Sequence, residues 1–174
     1  MKRFYKEAAA APVAGGWQVT LDGRSINTAG GRPQIVPSEA AATLLAREWA
    51  DQGEEIDPAR FILRDLADYA LDVVTADRAN VIATLLRYAE TDTLCYRADP
   101  DEPLHRRQWA VWEPIVSAFE AREGVRIERV SGIVHRAQPP QTLATLRHRL
   151  ERLDPFTLAA LEVATSLSAS LCVG

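Results

Sequence analysis

Asp65, Asp68 and Asp72 stand at i, i+3 and i+7, a spacing that sets three carboxylates on one face of a helix. Carboxylates so arranged can hold a divalent cation with water, the starting point of a metal-dependent hydrolase. No other ligand type is interleaved with them, so a solvated face opposite Leu63, Leu66 and Ala70 explains the pattern more simply. His105, His135 and His148 bear no i, i+4 relation to one another or to a cysteine, which leaves no zinc pattern. His135, beside Val134, has the chemistry of a general base, but no serine elbow or paired aspartate is readable near it. Gly30-Gly31 is followed by no Lys-Ser or Lys-Thr and reads as a plain loop, not a phosphate cradle. The expectation is a chain with no catalytic, cofactor or metal site.

Polar chemistry is densest in Tyr88-Ala89-Glu90-Thr91-Asp92-Thr93-Leu94-Cys95-Tyr96-Arg97. Carboxylates, hydroxyls, phenols, a thiol and a guanidinium crowd there with almost no turn former. Burial would demand a partner for each group. The run is therefore either the polar end of a buried helix or a recognition surface. It has no histidine, no nucleophile beside a base and no phosphate-binding glycine, so it is no catalytic constellation. Trp49, Trp109 and Trp112 suit core or interface anchoring better than a ligand box. Trp109 and Trp112, three residues apart, bracket one helical face.

The elements that must position these residues change character at Pro37. Trp17–Leu21 alternates apolar and polar, the period of a half-buried strand. Asp22-Gly23 signals a hairpin returning through Arg24 to Thr28 with Ile26 inward, and Gln34-Ile35-Val36 is a further short strand. Ser38 then caps a helix with Ala41, Leu44, Leu45 and Trp49 on one face, stopped by Gly53. Asp57-Pro58 marks a linker. Leu63, Leu66, Ala70, Val73 and Val74 recur at helical spacing, followed by Val81, Ile82, Leu85 and Ala89. A helix starting near Pro103 runs toward Gly124, burying Leu104, Val111 or Trp112, Ile115 and Phe119, with Pro114 bending or restarting it.

Val125–Val130 alternates as a strand with one wet face. Leu143, Leu146, Leu150 and Leu153 define another helix. Asp154-Pro155 opens the last one, which carries Leu158, Leu161, Leu167 and Leu171. The predicted class is α+β: a small N-terminal antiparallel β domain over residues 1–37, then a larger, mostly helical domain over 38–174 with one inserted strand. The last helix stays apolar to Leu171-Cys172-Val173-Gly174, as if the chain continues or meets another chain.

A net charge of −4 and a pI near 5.4 argue against a nucleic-acid binder. The basic cluster Arg147, Arg149 and Arg152 is interspersed with His148 and Glu151 and reads as a solvated face. No stretch approaches the roughly 18 apolar residues that cross a bilayer, so membrane insertion is not expected. Two distant cysteines make no disulfide framework and suit a reducing compartment. Neither a signal peptide nor a transit sequence is readable at Met1–Lys6, which favours a bacterial cytoplasmic protein or a mature organellar one.

Several separated segments resemble one known family: Arg3-Phe4-Tyr5-Lys6, Val19-Thr20-Leu21-Asp22-Gly23-Arg24, Ala46-Arg47-Glu48-Trp49 with Gln52, Thr91-Asp92 through Leu94-Cys95-Tyr96-Arg97, Gln108, Trp112-Glu113-Pro114 and Gly132-Ile133. In this order the chain resembles the assembly chaperones of the ATP synthase catalytic head, the F(1) sector, in the branch that binds the alpha subunit. The resemblance spans residue 3 to about 170.

It implies a β-rich N-terminal and a helical C-terminal domain, and a location in mitochondria or alphaproteobacteria. It also implies capture of unassembled alpha subunit, shielding of the surface that later meets beta, and no nucleotide hydrolysis. A monomer without cofactor, nucleic acid or membrane partner is expected. Members generally continue past the position of Gly174 with further helix and acidic residues. A chaperone that must also release its client needs a moderately apolar patch with a polar rim. Tyr96, Arg97, Trp109 and Trp112 are the expected anchors, because Tyr, Trp and Arg are enriched in hot spots. Asp92 is expected either as a charge on the rim or as the cap of a local turn. The alternative class is a structural subunit that uses the apolar C-terminal helix as a permanent contact.

Overall fold

Asp22 and Gly23 both have positive φ, 48° and 77°, the tight-turn geometry whose twist matches its flanking strands. In the computed structural model, which describes residues 1–174, this turn joins β2 (Gly16–Leu21) to β3 (Arg24–Ser25). β1 (Ala8–Val13) pairs antiparallel along the other edge of β2, with Ala8 opposite Leu21. β4 (Ile35–Val36) takes the remaining part of the β3 edge, with Trp17 opposite Val36. β1 has no sequence signature: Ala8-Ala9-Ala10-Ala11 lacks the branched and aromatic residues of strands, and pairing to β2 imposes the conformation.

α1 (Glu39–Ala50) is capped by the Ser38 hydroxyl, which accepts from the Ala41 N–H at 3.2 Å. It buries Ala42, Leu45, Ala46 and Trp49 against β1 and β2, while Leu44, expected on that face, turns outward. α2 (Ile62–Tyr69) follows a short 3₁₀ turn and widens into a π turn over Ala70–Val74. Its inner face is Ala67, Asp68, Ala70 and Val74; Leu63 and Val73, expected inside, are exposed. These elements form one compact unit, Met1–Asp77, so the segment before Pro37 and the helix after it share a core.

The second unit, Arg78–Gly174, begins with α3 (Arg78–Glu90), which packs on α5 (Pro140–Leu150) and α6 (Pro155–Ser168). The Arg78 guanidinium donates to the carbonyls of Leu150, Glu151 and Leu153, satisfying the otherwise open end of α5. Asp154 caps α6 as its sequence announces, accepting from the N–H groups of Phe156 and Thr157. α4 (Pro103–Glu123) runs unbroken through Pro114 and ends at Gly124, whose φ of 68° closes the helix.

The strand expected over Val125–Val130 is mostly irregular. Only β6 (Val130–Ser131) enters a ladder, parallel to β5 (Tyr96–Arg97), because the Ile127 and Glu128 N–H groups are taken by the side chains of Glu120 and Gln138. α6 stops at Ser168, earlier than its apolar pattern suggests. Ala169 turns left-handed at φ 50°, and Leu171 and Cys172 fold back into the unit.

Candidate protein-binding surface

The run that dominates the sequence lies in the second unit, between α3 and α4. Asp92 is 1% exposed. One carboxylate oxygen accepts from the Leu94 N–H at 3.0 Å, capping the 3₁₀ turn Thr93–Cys95. The other accepts from Ser170 Oγ at 2.9 Å and the Cys172 N–H at 3.0 Å. It is thus the cap of the two roles expected for it and not a charge on a rim. Burial, reinforced by this nearby carboxylate, pushes the Cys95 thiol up to about 12 and raises Cys172 as well.

Arg97 is equally internal, at 3% exposure. It donates to the Leu94 carbonyl at 2.6 Å and to Glu113 Oε2 at 3.1 Å, with its guanidinium 5.7 Å from the ring centre of the half-buried Trp112. Glu113 also receives Arg129 at 2.7 Å, and Arg129 reaches Glu120 at 2.6 Å. Burial opposes the charge of Arg129, but its hydrogen bonds to Glu120 and Glu113 outweigh that and raise its pKa. Burial acts against the Glu120 carboxylate too, and the Arg129 and Ile127 donors hold it below the usual range. Tyr96 is half-buried, and its hydroxyl lies 3.2 Å from His135 Nδ1. Asp92 and Arg97 are buried and paired within the unit, as the internal frame of the polar run.

What the scaffold presents is apolar. Trp109 is 53% exposed beside the Glu113–Arg129 network. Leu104, Val111 and Ile115, expected in the core, lie along an exposed line of α4, while Gln108, Val116 and Phe119 face inward. The i, i+7, i+11 spacing of the three was legible; which side of α4 faced the core was not. Ile133 and Val134, at 94% and 77% exposure, project from the loop after β6, which the Gly132 N–H ties to the Arg97 carbonyl. Nothing in their sequence context distinguished them from a strand end.

The three aspartates of α2 and its π turn do not converge. Asp68, 6% exposed, accepts from the Ala29 N–H, Gln34 Nε2 and Arg64; Asp72 accepts from Thr28 Oγ1 and the Gly30 N–H. Asp65 meets only Arg64, at 3.4 Å on the surface. Two of them clamp the loop between β3 and β4, so neither a shared solvated face nor a metal triad describes them.

The chain is a two-unit α+β protein in which ionisable groups of the second unit pair with one another beside the exposed Trp109. The chain belongs to the ATP12 chaperone protein family, whose model matches residues 2–120. It is 27% identical to the mitochondrial protein atp12 of Schizosaccharomyces pombe, over 99% of this chain and 63% of that relative's length. The crystal structure of Atp12 from Paracoccus denitrificans superposes with a TM-score of 0.93 at 35% identity, covering 99% of this chain and 74% of that one. Atu1473 from Agrobacterium tumefaciens gives 0.91 at 36%, over 98% and 65%. The β-then-helical architecture expected from the sequence is the fold of these relatives.

Proposed function

We propose that this chain is an assembly chaperone of the proton-translocating ATP synthase, binding the unassembled alpha subunit and shielding its interface until beta arrives. Membership of the ATP12 chaperone family carries the reading. The physical support is the exposed Trp109 beside a rigid ionic network, with the half-exposed Leu104, Val111 and Ile115 on another face of the same helix. Such a patch suits a transient contact: apolar enough to hold a sticky face, narrow enough to release it. Trp109 makes the contact, with Tyr96 at its border and Asp92, Arg97 and Trp112 fixing the geometry behind it; Leu104, Val111 and Ile115 offer a second apolar face of α4. The chaperone acts as a monomer, without cofactor, in the bacterial cytoplasm.

Co-expression of the full-length chain with the alpha subunit, followed by pull-down, tests this. Capture near one-to-one and suppression of alpha aggregation are expected. A well-folded bait that retains no alpha subunit removes the reading.

A further inference from the structure

The sequence segments 3–6, 19–24 and 46–49 take no part in the α4 surface, and in the first unit they meet. They wall an open pocket of about 620 Å³ whose lining lies entirely between Phe4 and Arg64. Phe4 stands 65% exposed there, although the chain around it is pinned. The Arg3 N–H donates to the Glu54 carbonyl at 2.8 Å, the Arg3 guanidinium to the Gln52 carbonyl at 2.8 Å, and the Tyr5 hydroxyl to the Trp49 carbonyl at 2.6 Å. An exposed ring so fixed is no frayed end. Tyr5 stands edge-on to Trp49, ring centres 5.6 Å apart, and the Arg64 guanidinium is 5.9 Å from the Trp49 ring centre. The hydrogen-bond chemistry of this pocket asks for an acceptor. Trp49 is 9% exposed, and its indole Nε1 is buried with no partner; Arg64 Nε is buried and unpaired as well. Arg24 is exposed, and its guanidinium makes no hydrogen bond. The one carboxylate of the lining, Asp22, is taken by the N–H groups of Glu7 and Lys6, at 2.9 and 3.0 Å, which hold it below the usual range. Buried donors without acceptors are destabilising, so a ligand that supplies the acceptor is favoured.

We propose that the pocket binds a carboxylate carried on an aromatic or aliphatic body. The body lies against Phe4, Tyr5 and Trp49, and the carboxylate sits between Arg24 and Arg64, where it accepts from the two unpaired N–H groups. Both nitrogens are covered, so entry turns the Arg64 side chain: its 3.4 Å contact with the exposed Asp65 is released, while its 3.2 Å pair with Asp68 holds. A cation is disfavoured, because Asp22 is already engaged by backbone donors and two arginines border the site. The carboxylate belongs to a free small acid or to an acidic residue of a peptide, and the chemistry is the same for both. No residue of the second unit lines the pocket, so the proposal stands independently of the client reading.

The test follows the assigned indole N–H resonance of Trp49 in the full-length chain by heteronuclear NMR. The probes are phenylpropionate with its neutral amide as control, and a short blocked peptide holding phenylalanine and glutamate with its glutamine counterpart as control. At least one of the two acids should shift the resonance saturably, and its neutral counterpart should bind about tenfold or more weakly. Arg24→Glu and Phe4→Ala, both at exposed positions, should each weaken the acid about tenfold with unchanged Tm. Tighter binding of phenylpropionate assigns a free acid as the ligand, tighter binding of the peptide assigns an acidic protein segment, and either result supports the site. A resonance that neither acid moves overturns the proposal. So does an equal response to acid and neutral probe, or wild-type affinity in Arg24→Glu. An indole N–H that is protected from solvent exchange and answers no probe overturns it in favour of cover by the rest of the polypeptide.

Discussion

Asp92 and Ser170 are 78 positions apart and joined by a buried hydrogen bond of 2.9 Å. The carboxylate that receives Ser170 also receives the N–H groups of Cys172 and Leu94, so one side chain fastens the end of α6 to the turn before β5. Asp92→Ala strands these donors in the interior and should lower stability by about 3–5 kcal/mol. Asp92→Asn keeps one acceptor oxygen and should fall between. Urea unfolding monitored by tryptophan fluorescence measures both. Unchanged stability with lost alpha capture would return Asp92 to a surface role.

Glu113 is the hinge of the ionic network, because it alone neutralises the buried guanidinium of Arg97 while sharing Arg129 with Glu120. Glu113→Gln leaves Arg97 without its counter-charge and should cost about 3 kcal/mol, whereas Glu123→Gln, pairing only exposed arginines, should cost under about 1 kcal/mol. Glu120 adds an acid limit. Its folded pKa is depressed, so its contribution is present above the ordinary value of 4.5 and fades as pH falls through the folded value. Glu120→Gln should therefore flatten the stability profile below pH 4.5.

At the alkaline end the thiols set the slope. Cys95 is pushed from 9.0 to about 12 and Cys172 also rises, so between those values the folded chain holds protons that the unfolded chain has lost. Stability is full below pH 9 and falls above it, by about 1.4 kcal/mol per pH unit for each thiol. Urea midpoints at pH 8 and pH 10 should differ in wild type and nearly coincide in Cys95→Ala/Cys172→Ala. At pH 8 both thiols should react with a chromogenic disulfide only as fast as the protein opens.

Local signals of turn and cap were legible because their chemistry is short-range. Asp22-Gly23, Ser38, Asp154-Pro155 and Gly124 each act through groups within a few residues, and each does in the structure what its sequence says. Orientation was legible only where tertiary partners agreed with periodicity. On α4 the apolar residues outnumber the inward positions, so Leu104, Val111 and Ile115 face outward while Gln108 goes inside, its carbonyl accepting from Arg97 and its Oε1 from the Ala98 N–H. The run 88–97 is legible in the sequence as a density of polar groups. Its partners, Ser170, Cys172, Gln108 and Glu113, lie up to 80 residues away, a distance over which pattern carries no information.

The aspartates of α2 separate the scaffold account from a metal site by arithmetic of exposure. Asp68 is buried under three donors, and the Asp72 carboxylate so closely meets Gly30 that an added Cβ there would stand 2.7 Å from it. Asp68→Ala should cost about 3 kcal/mol, and Gly30→Ala should also destabilise, since the loop must retreat from Asp72. Asp65→Ala, exposed and paired only with Arg64, should stay within about 0.5 kcal/mol of wild type. Magnesium, calcium or manganese should leave Tm where it is. A metal triad predicts the opposite pattern, with Tm rising on addition of the cation and the gain abolished equally by Asp65→Ala and Asp68→Ala, so one set of melting curves decides between the clamp and the site.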